Sequence, residues 1–347
     1  MRHRSVAGAS HRLLVGLVGA TWLAGLLPSC GSVGRRADGG GDGTGGSGGT
    51  GGVVDGGTSD GEDAPVTGDD GGVVCSPSKP FAAPLIVPGL NQLGTNSTAR
   101  LTPDELTAYF GNLRAADGGG TGNYEIFTAT RGQRGAAFSG AHTLAGINSA
   151  TASDYDPALT ADGQTLYLGS TRNQAMDRIF VSIFNPITSS FSAPMAIDSI
   201  SQAADAGANA PATLDALQPY VLPDNTVLYF GSARAGTRDI YRATRSTAGF
   251  SRAMAVGEIN TTSVEQFPTV SADELVIYWG SNRTDAGRGG FDVWMATRDS
   301  TAVPFGNVRN VTEVNTTTDD FPSWISPDGC RLYLTTRAGL SIAERTP

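Results

Sequence analysis

Three histidines occur in the chain, and two of them, His3 and His11, fall in a basic N-terminal stretch, which leaves His142 alone in the body of the sequence. A single imidazole speaks against a Ser-His-Asp triad and against a histidine-based metal centre. Carboxylates are more plentiful. A glycosidase needs only two acids about 5 to 9 Å apart, and Asp154, Asp156 and Asp215 are the residues from which such a pair would be drawn. Arginines recur at Arg114, Arg172, Arg234, Arg283 and Arg337, close to Asp154, Asp215, Glu265 and Asp319. A charge that returns once per unit describes ion pairs within or between units better than it describes one site. No glycine-rich loop opens a helix, so a phosphate cradle is not expected, and nothing in the sequence implies a cofactor.

The elements that must carry these groups are repeated. Phe81, Phe138, Phe191, Phe250 and Phe305 are each followed ten residues later by Asn91, Asn148, Ser201, Asn260 and Asn315, and the copies begin 53 to 59 residues apart. Ala99, Pro157, Pro219, Pro268 and Pro322 come next, then Asp104, Asp162, Asp224, Asp273 and Asp328, each with a tyrosine five residues on: Tyr109, Tyr167, Tyr229, Tyr278 and Tyr333. Repetition at this period indicates a solenoid or a propeller.

One unit decides between them. Residues 218–222 read as a short strand, Pro223-Asp224-Asn225 as its turn, residues 226–232 and 239–245 as two more strands, and the stretch from Phe250 to Ile259 as a fourth. Second strands such as Val276-Ile277-Tyr278-Trp279 are apolar on both faces, as sheets stacked on sheets require. The repeated Asp is expected to cap its turn through its side chain, and the tyrosines are expected to pack with the hydroxyl finding a partner. The fold class is therefore all-β: a β-propeller of five four-stranded blades, with six as the alternative count. The last copy has one extra residue between Pro322 and Asp328, which suggests a bulge there.

Ser326-Pro327-Asp328-Gly329 with Leu332-Tyr333-Leu334, and Ser232-Ala233-Arg234 with the run from Asp239 to Arg245, resemble the WD-repeat-like blades of TolB-like propellers. The resemblance spans residues 81–345 and implies the fold. The N-terminal α/β domain of TolB has no counterpart, so its partner is not carried over.

The N-terminus reads as an address. Arg2, Arg4 and Arg12 precede Leu13–Leu27, an apolar run too short for an ordinary span but suited to a secretory leader. Leu27-Pro28-Ser29-Cys30-Gly31 resembles the lipobox of bacterial lipoproteins, which implies a lipoprotein signal peptide over 1–29 and a diacylated Cys30. Two acyl chains anchor stably, and Gly31 in place of Asp favours the outer membrane by the same resemblance. Residues 31–74 hold eighteen Gly and no aromatic residue, so residues 30–74 are expected to form a disordered Gly/Asp-rich tether, ahead of a propeller over 75–347. Removing the leader takes the formal charge from −9 to −12, which speaks against nucleic acid as a partner.

Closure brings the ends together. The first copy begins with a strand that has no preceding blade, and the last copy ends at Arg345 with three strands, so the N-terminal strand is expected to complete the fifth blade. Cys75 and Cys330 then fall near each other in an oxidising compartment, and a disulfide is expected, with two separate buried thiols as the alternative. Of the two rims, one carries the turns around the repeated Asp. The other carries the long connections 115–123, 202–216 and 284–290 together with the repeated arginines, and is the candidate binding surface. The function expected is that of a monomeric envelope lipoprotein binding a protein or glycan without catalysis. The alternative is a carbohydrate-active hydrolase or lyase with carboxylates at that rim. An unpaired acid of raised proton affinity would favour the enzyme, and paired acids with an aromatic rim patch would favour the binder.

Overall fold

The computed structural model describes residues 66–67, 73–90, 95–113, 123–172, 176–201, 214–285 and 287–347. The leader, Cys30, most of the tether, Arg114 and most of the 202–216 connection lie outside them. Inside the stretch expected to be coil, Val66–Thr67 pairs antiparallel with Val73–Val74.

Five antiparallel sheets follow, one per repeat. Blade 1 is built from Thr95–Leu101, Thr107–Leu113, Tyr124–Thr130 and Ser139–Thr143. In blade 2, Asp154–Leu159, Thr165–Ser170 and Arg178–Asn185 lie side by side, and in blade 3 Leu217–Val221, Val227–Ser232 and Asp239–Ser246 do the same. The fourth strand expected from Phe250 to Ile259 is broken in two, and its counterpart in blade 2 is broken in the same way. They pair as Ser190–Phe191 and Met195–Ala196 in blade 2, and as Gly249–Phe250 and Met254–Ala255 in blade 3. Blade 4 comprises Glu265–Val270, Val276–Ser281, Asp292–Thr297 and Gly306–Asn310. First strands contact one another in sequence from blade 1 to blade 5 and back to blade 1, so the ring is closed and they surround its axis. Second strands such as Val227–Ser232 are buried along their whole length, because each lies between two neighbouring blades.

Blade 5 is composite. Asp320–Ile325, Arg331–Thr336 and Gly339–Glu344 come from the C-terminal end, and Leu85–Ile86 supplies the outermost strand by pairing with Ser341–Ile342. Cys75 is bonded to Cys330 with their Cα atoms 5.0 Å apart. A cation on a ring shows that the closing segment takes the place of an ordinary fourth strand. Arg131 lies over Phe138 at 4.6 Å, Arg245 over Phe250 at 5.8 Å and Arg298 over Phe305 at 4.3 Å, and Arg345 at the C-terminus lies over Phe81 at 3.8 Å.

The repeated residues hold the turns and the blade interfaces. Oδ1 of Asp104, Asp162, Asp224, Asp273 and Asp328 accepts the amide two residues on, at 2.9 to 3.0 Å. The residue after each Asp is left-handed, with φ between 63° and 70° at Glu105, Gly163, Asn225, Glu274 and Gly329. Where that residue has a side chain, it receives the tyrosine of the preceding blade: Tyr167 donates to Asn225, Tyr229 to Glu274 and Tyr333 to Glu105.

A bulge was expected in the last copy alone, yet the register slips by one residue in the first strand of every blade. In blades 2 to 4 the slip centres on a left-handed residue followed by proline, Asp156, Gln218 and Phe267 having φ of 50°, 57° and 54°. In blade 5 the proline comes one place earlier and pairs with Leu334, so the extra residue is taken up within the slip.

Candidate functional site

On the rim carrying the long connections, blades 2 and 4 build the same lock. Asp154 stands opposite Ser170, and Glu265 opposite Ser281. Two residues past each serine comes an arginine whose Nε donates to the serine hydroxyl, at 3.1 Å for Arg172 and 3.2 Å for Arg283. Its Nη2 reaches the acid of the same blade, at 2.6 Å for Arg172–Asp154 and 3.0 Å for Arg283–Glu265. Nη2 also donates to the carbonyl of Ile147 or Ile259, in the connection that leads into the arginine's own blade. Both acids are fully buried.

Blade 3 keeps the arginine and loses the ion pair. Arg234 donates to Ser232 Oγ at 2.9 Å and to the Ile200 carbonyl at 2.8 Å, and stacks on Tyr241 at 4.5 Å. Burial lowers its proton affinity. Asp215 instead caps the end of the second strand, accepting Ser232 Oγ at 3.0 Å and the Ala233 amide at 2.8 Å. On the axis, Asp156 of blade 2 accepts the Thr98 hydroxyl of blade 1 at 2.9 Å. His142 is exposed on an outer strand, its Nδ1 beside the Gly140 carbonyl.

Blade 5 departs from this pattern. The acid opposite Thr336 is Asp320, not Asp319, and Arg337 follows Thr336 by one residue instead of two. Asp319 is matched by its distance from Pro322 and Arg337 by its distance after Asp328; the displaced proline removes the first from the repeated set, and the one-residue-shorter step after the second strand removes the second. Asp320 is buried and accepts the Thr316 amide and hydroxyl at 2.6 and 2.9 Å. Burial, with Asp292 and Asp319 nearby, raises its proton affinity. Arg337 is exposed and has no ion pair or hydrogen bond among the described residues. Asp319 is exposed as well, its Oδ1 accepting only the Phe291 amide at 2.9 Å.

These freed groups border an open depression of about 460 Å³ formed by Thr318, Asp319, Phe321, Thr335, Thr336 and Arg337. Phe321 is one of three half-buried rings, with Phe267 at 4.7 Å and Phe291 at 5.2 Å between centroids. Gly280 of blade 4 makes room for it, since a Cβ there would come within 2.7 Å of the ring. Asp239 was not singled out in the sequence. It opens the third strand of blade 3, its Oδ1 has no hydrogen-bond partner among the described residues, and burial together with Glu265 raises its proton affinity. Among the described residues no three His, Cys, Asp or Glu side chains converge as metal ligands.

The fold and this rim define a five-bladed β-propeller. No family model matches the chain, and no curated protein matches it in sequence. Similar solved structures include TolB from Acinetobacter baumannii, at 15% identity and a TM-score of 0.42, covering 73% of this chain and 55% of that one. The chain thus spans about half the length of that protein. The structure of a putative TolB from Agrobacterium tumefaciens is similar at 14% identity and a TM-score of 0.41, covering 74% of this chain and 78% of that one. The α-L-arabinofuranosidase PaAbf62A from Podospora anserina is similar at 12% identity and 0.47, covering 78% and 97%.

Proposed function

We propose that this chain is an envelope lipoprotein, anchored through Cys30 at the outer membrane, whose monomeric propeller binds an envelope protein or glycan without transforming it. The observation that carries this reading is the contrast in how the rim charges are used. Asp154 and Glu265 are buried in ion pairs and Asp215 caps a strand, whereas Phe321, Arg337 and Asp319 stand together at an open depression. An aromatic group beside an unengaged arginine has the composition of a binding hot spot. Cross-linking in intact cells, with the partners identified by mass spectrometry and glycan capture, tests it. Phe321→Ala with Arg337→Glu is expected to abolish the adducts, and adducts that persist at wild-type yield would overturn the assignment. Cys30→Ser is expected to release the chain from membranes, and unchanged fractionation would remove the anchor.

Asp239 favours a second reading, a carbohydrate-active hydrolase or lyase, because a carboxyl group of raised proton affinity is the kind of group general acid catalysis uses. Under that reading Asp239→Asn abolishes polysaccharide turnover. Under ours it leaves partner capture intact.

A further inference from the structure

At the opposite mouth of the axis, five turn residues, one from each blade, form a collar: Pro103, Ala161, Pro223, Ala272 and Pro327. Below it lies a cavity of about 230 Å³, walled mainly by apolar side chains including Leu159, Val221 and Trp324. In four of the five blades its lining includes the first-strand position that stands opposite the repeated tyrosine. That position is Arg100, Ala158, Tyr220, Thr269 and Trp324 in the five blades, a different residue in each, and Thr269 is the one that does not line the cavity.

Arg100 is the unusual member. Its side chain is 3% exposed and has no carboxylate within ion-pair distance among the described residues; Nη2 donates to the Pro219 carbonyl at 3.3 Å, while Nε and Nη1 have no hydrogen-bond partner. The guanidinium lies over the Tyr220 ring at 4.9 Å. Asp156 on the neighbouring blade acts on it only through the field, its Oδ1 being held by Thr98. Burial pulls Arg100 down to about 10, so it is still a cation at neutral pH. A buried charge with free donors is costly to the fold unless something satisfies it. Thr269, at the same level of the ring, is also buried with its hydroxyl unpartnered.

We propose that the axial cavity binds a small organic carboxylate, an apolar chain or ring bearing one negative group, with Arg100 as its counter-ion. The apolar walls select the tail, and the free N–H donors select the head. Asp156 disfavours a second negative charge, which sets a monocarboxylate apart from a phosphate dianion. This site is separate from the rim depression, so either assignment can fail alone.

The test titrates the full chain with 3-phenylpropionate and, separately, with the neutral 3-phenylpropanol, read by calorimetry and by the change in tryptophan fluorescence that Trp324→Phe removes. The carboxylate is expected to bind at least about tenfold more tightly than the alcohol. Arg100→Met is expected to erase that preference and to raise the melting temperature, since a buried unsatisfied charge is removed. Ala272→Trp, on the exposed collar, is expected to block both compounds without touching Arg100. Equal affinity for acid and alcohol, no saturable binding at millimolar concentration, or a preference that survives Arg100→Met would overturn the proposal.

Discussion

Blades 4 and 5 are neighbours built on one repeat, yet they use their rim charges in opposite ways. Blade 4 encloses Glu265 completely, and that carboxylate accepts bonds from Thr261, Ser281 and Arg283. Blade 5 shifts its proline by one place, keeps the equivalent bonds from Thr316 to the buried Asp320 without an arginine on that acid, and leaves Arg337 in solvent. Blade 4 is also one continuous piece of chain, whereas blade 5 is completed by Leu85–Ile86 and the Cys75–Cys330 bond. Within a repeat, what every copy does alike serves the ring. The copy that drops the shared contact is where a side chain is left for something else.

The comparison breaks most sharply at Glu265. Glu265→Ala leaves the Arg283 guanidinium without its counter-ion and removes the carboxylate acceptor from Thr261 and Ser281, and is expected to cost about 3 to 5 kcal/mol in urea unfolding. If its loss is no greater than that of Asp319→Ala, the lock in blade 4 is not structural. Next in size is the clasp of the composite blade. Cys75→Ser with Cys330→Ser opens a link between residues 255 apart in sequence and is expected to cost about 3 kcal/mol. A reduced protein that unfolds at the same urea concentration as the oxidised one would show that strand pairing alone closes the ring.

Much of the ring was legible in the sequence, because each blade must solve the same packing problem and so repeats the same residues: aspartate at the turn, tyrosine across to the next blade, phenylalanine under the arginine that ends a third strand. The closure was legible for a related reason, since Phe81 is a fourth-strand residue without a blade of its own. Matching residue types in a column gave the wrong partners in blade 5, where Pro322 fits the alignment but not the register, and only backbone pairing places Asp320 opposite Thr336. Arg100 was invisible for the opposite reason. Position by position the axis does not repeat, so no comparison among copies draws attention to it.

Asp320 gives a smaller, pH-dependent contrast. Burial, followed by the neighbouring acids Asp292 and Asp319, raises its folded proton affinity above that of the unfolded chain. The native state therefore binds more protons at this site, and its contribution to stability is fully present below the ordinary aspartate pKa and is lost as pH rises through the folded one. Asp104 and Asp328 have the opposite sign, their carboxylates held low chiefly by bonds to Thr102 in one case and to Ser326 in the other, in the latter against burial. The difference between wild type and Asp320→Asn cancels those common terms. That difference curve is expected to slope only in the window from the ordinary aspartate range upward, and a flat curve would mean that Asp320 titrates as it does in water.

The smallest effect on stability is expected at Arg337, and it is the most discriminating. Arg283→Ala removes donors from a buried acid, whereas Arg337→Ala removes an exposed side chain that bonds to nothing described, so its change in unfolding free energy should stay within about 0.5 kcal/mol. A residue that costs nothing to the fold but whose loss weakens partner capture belongs to the binding surface. If Arg337→Ala instead destabilises the propeller as much as Arg283→Ala does, blade 5 holds its arginine in the same lock as blade 4, and the depression around Phe321 loses the charge that set it apart.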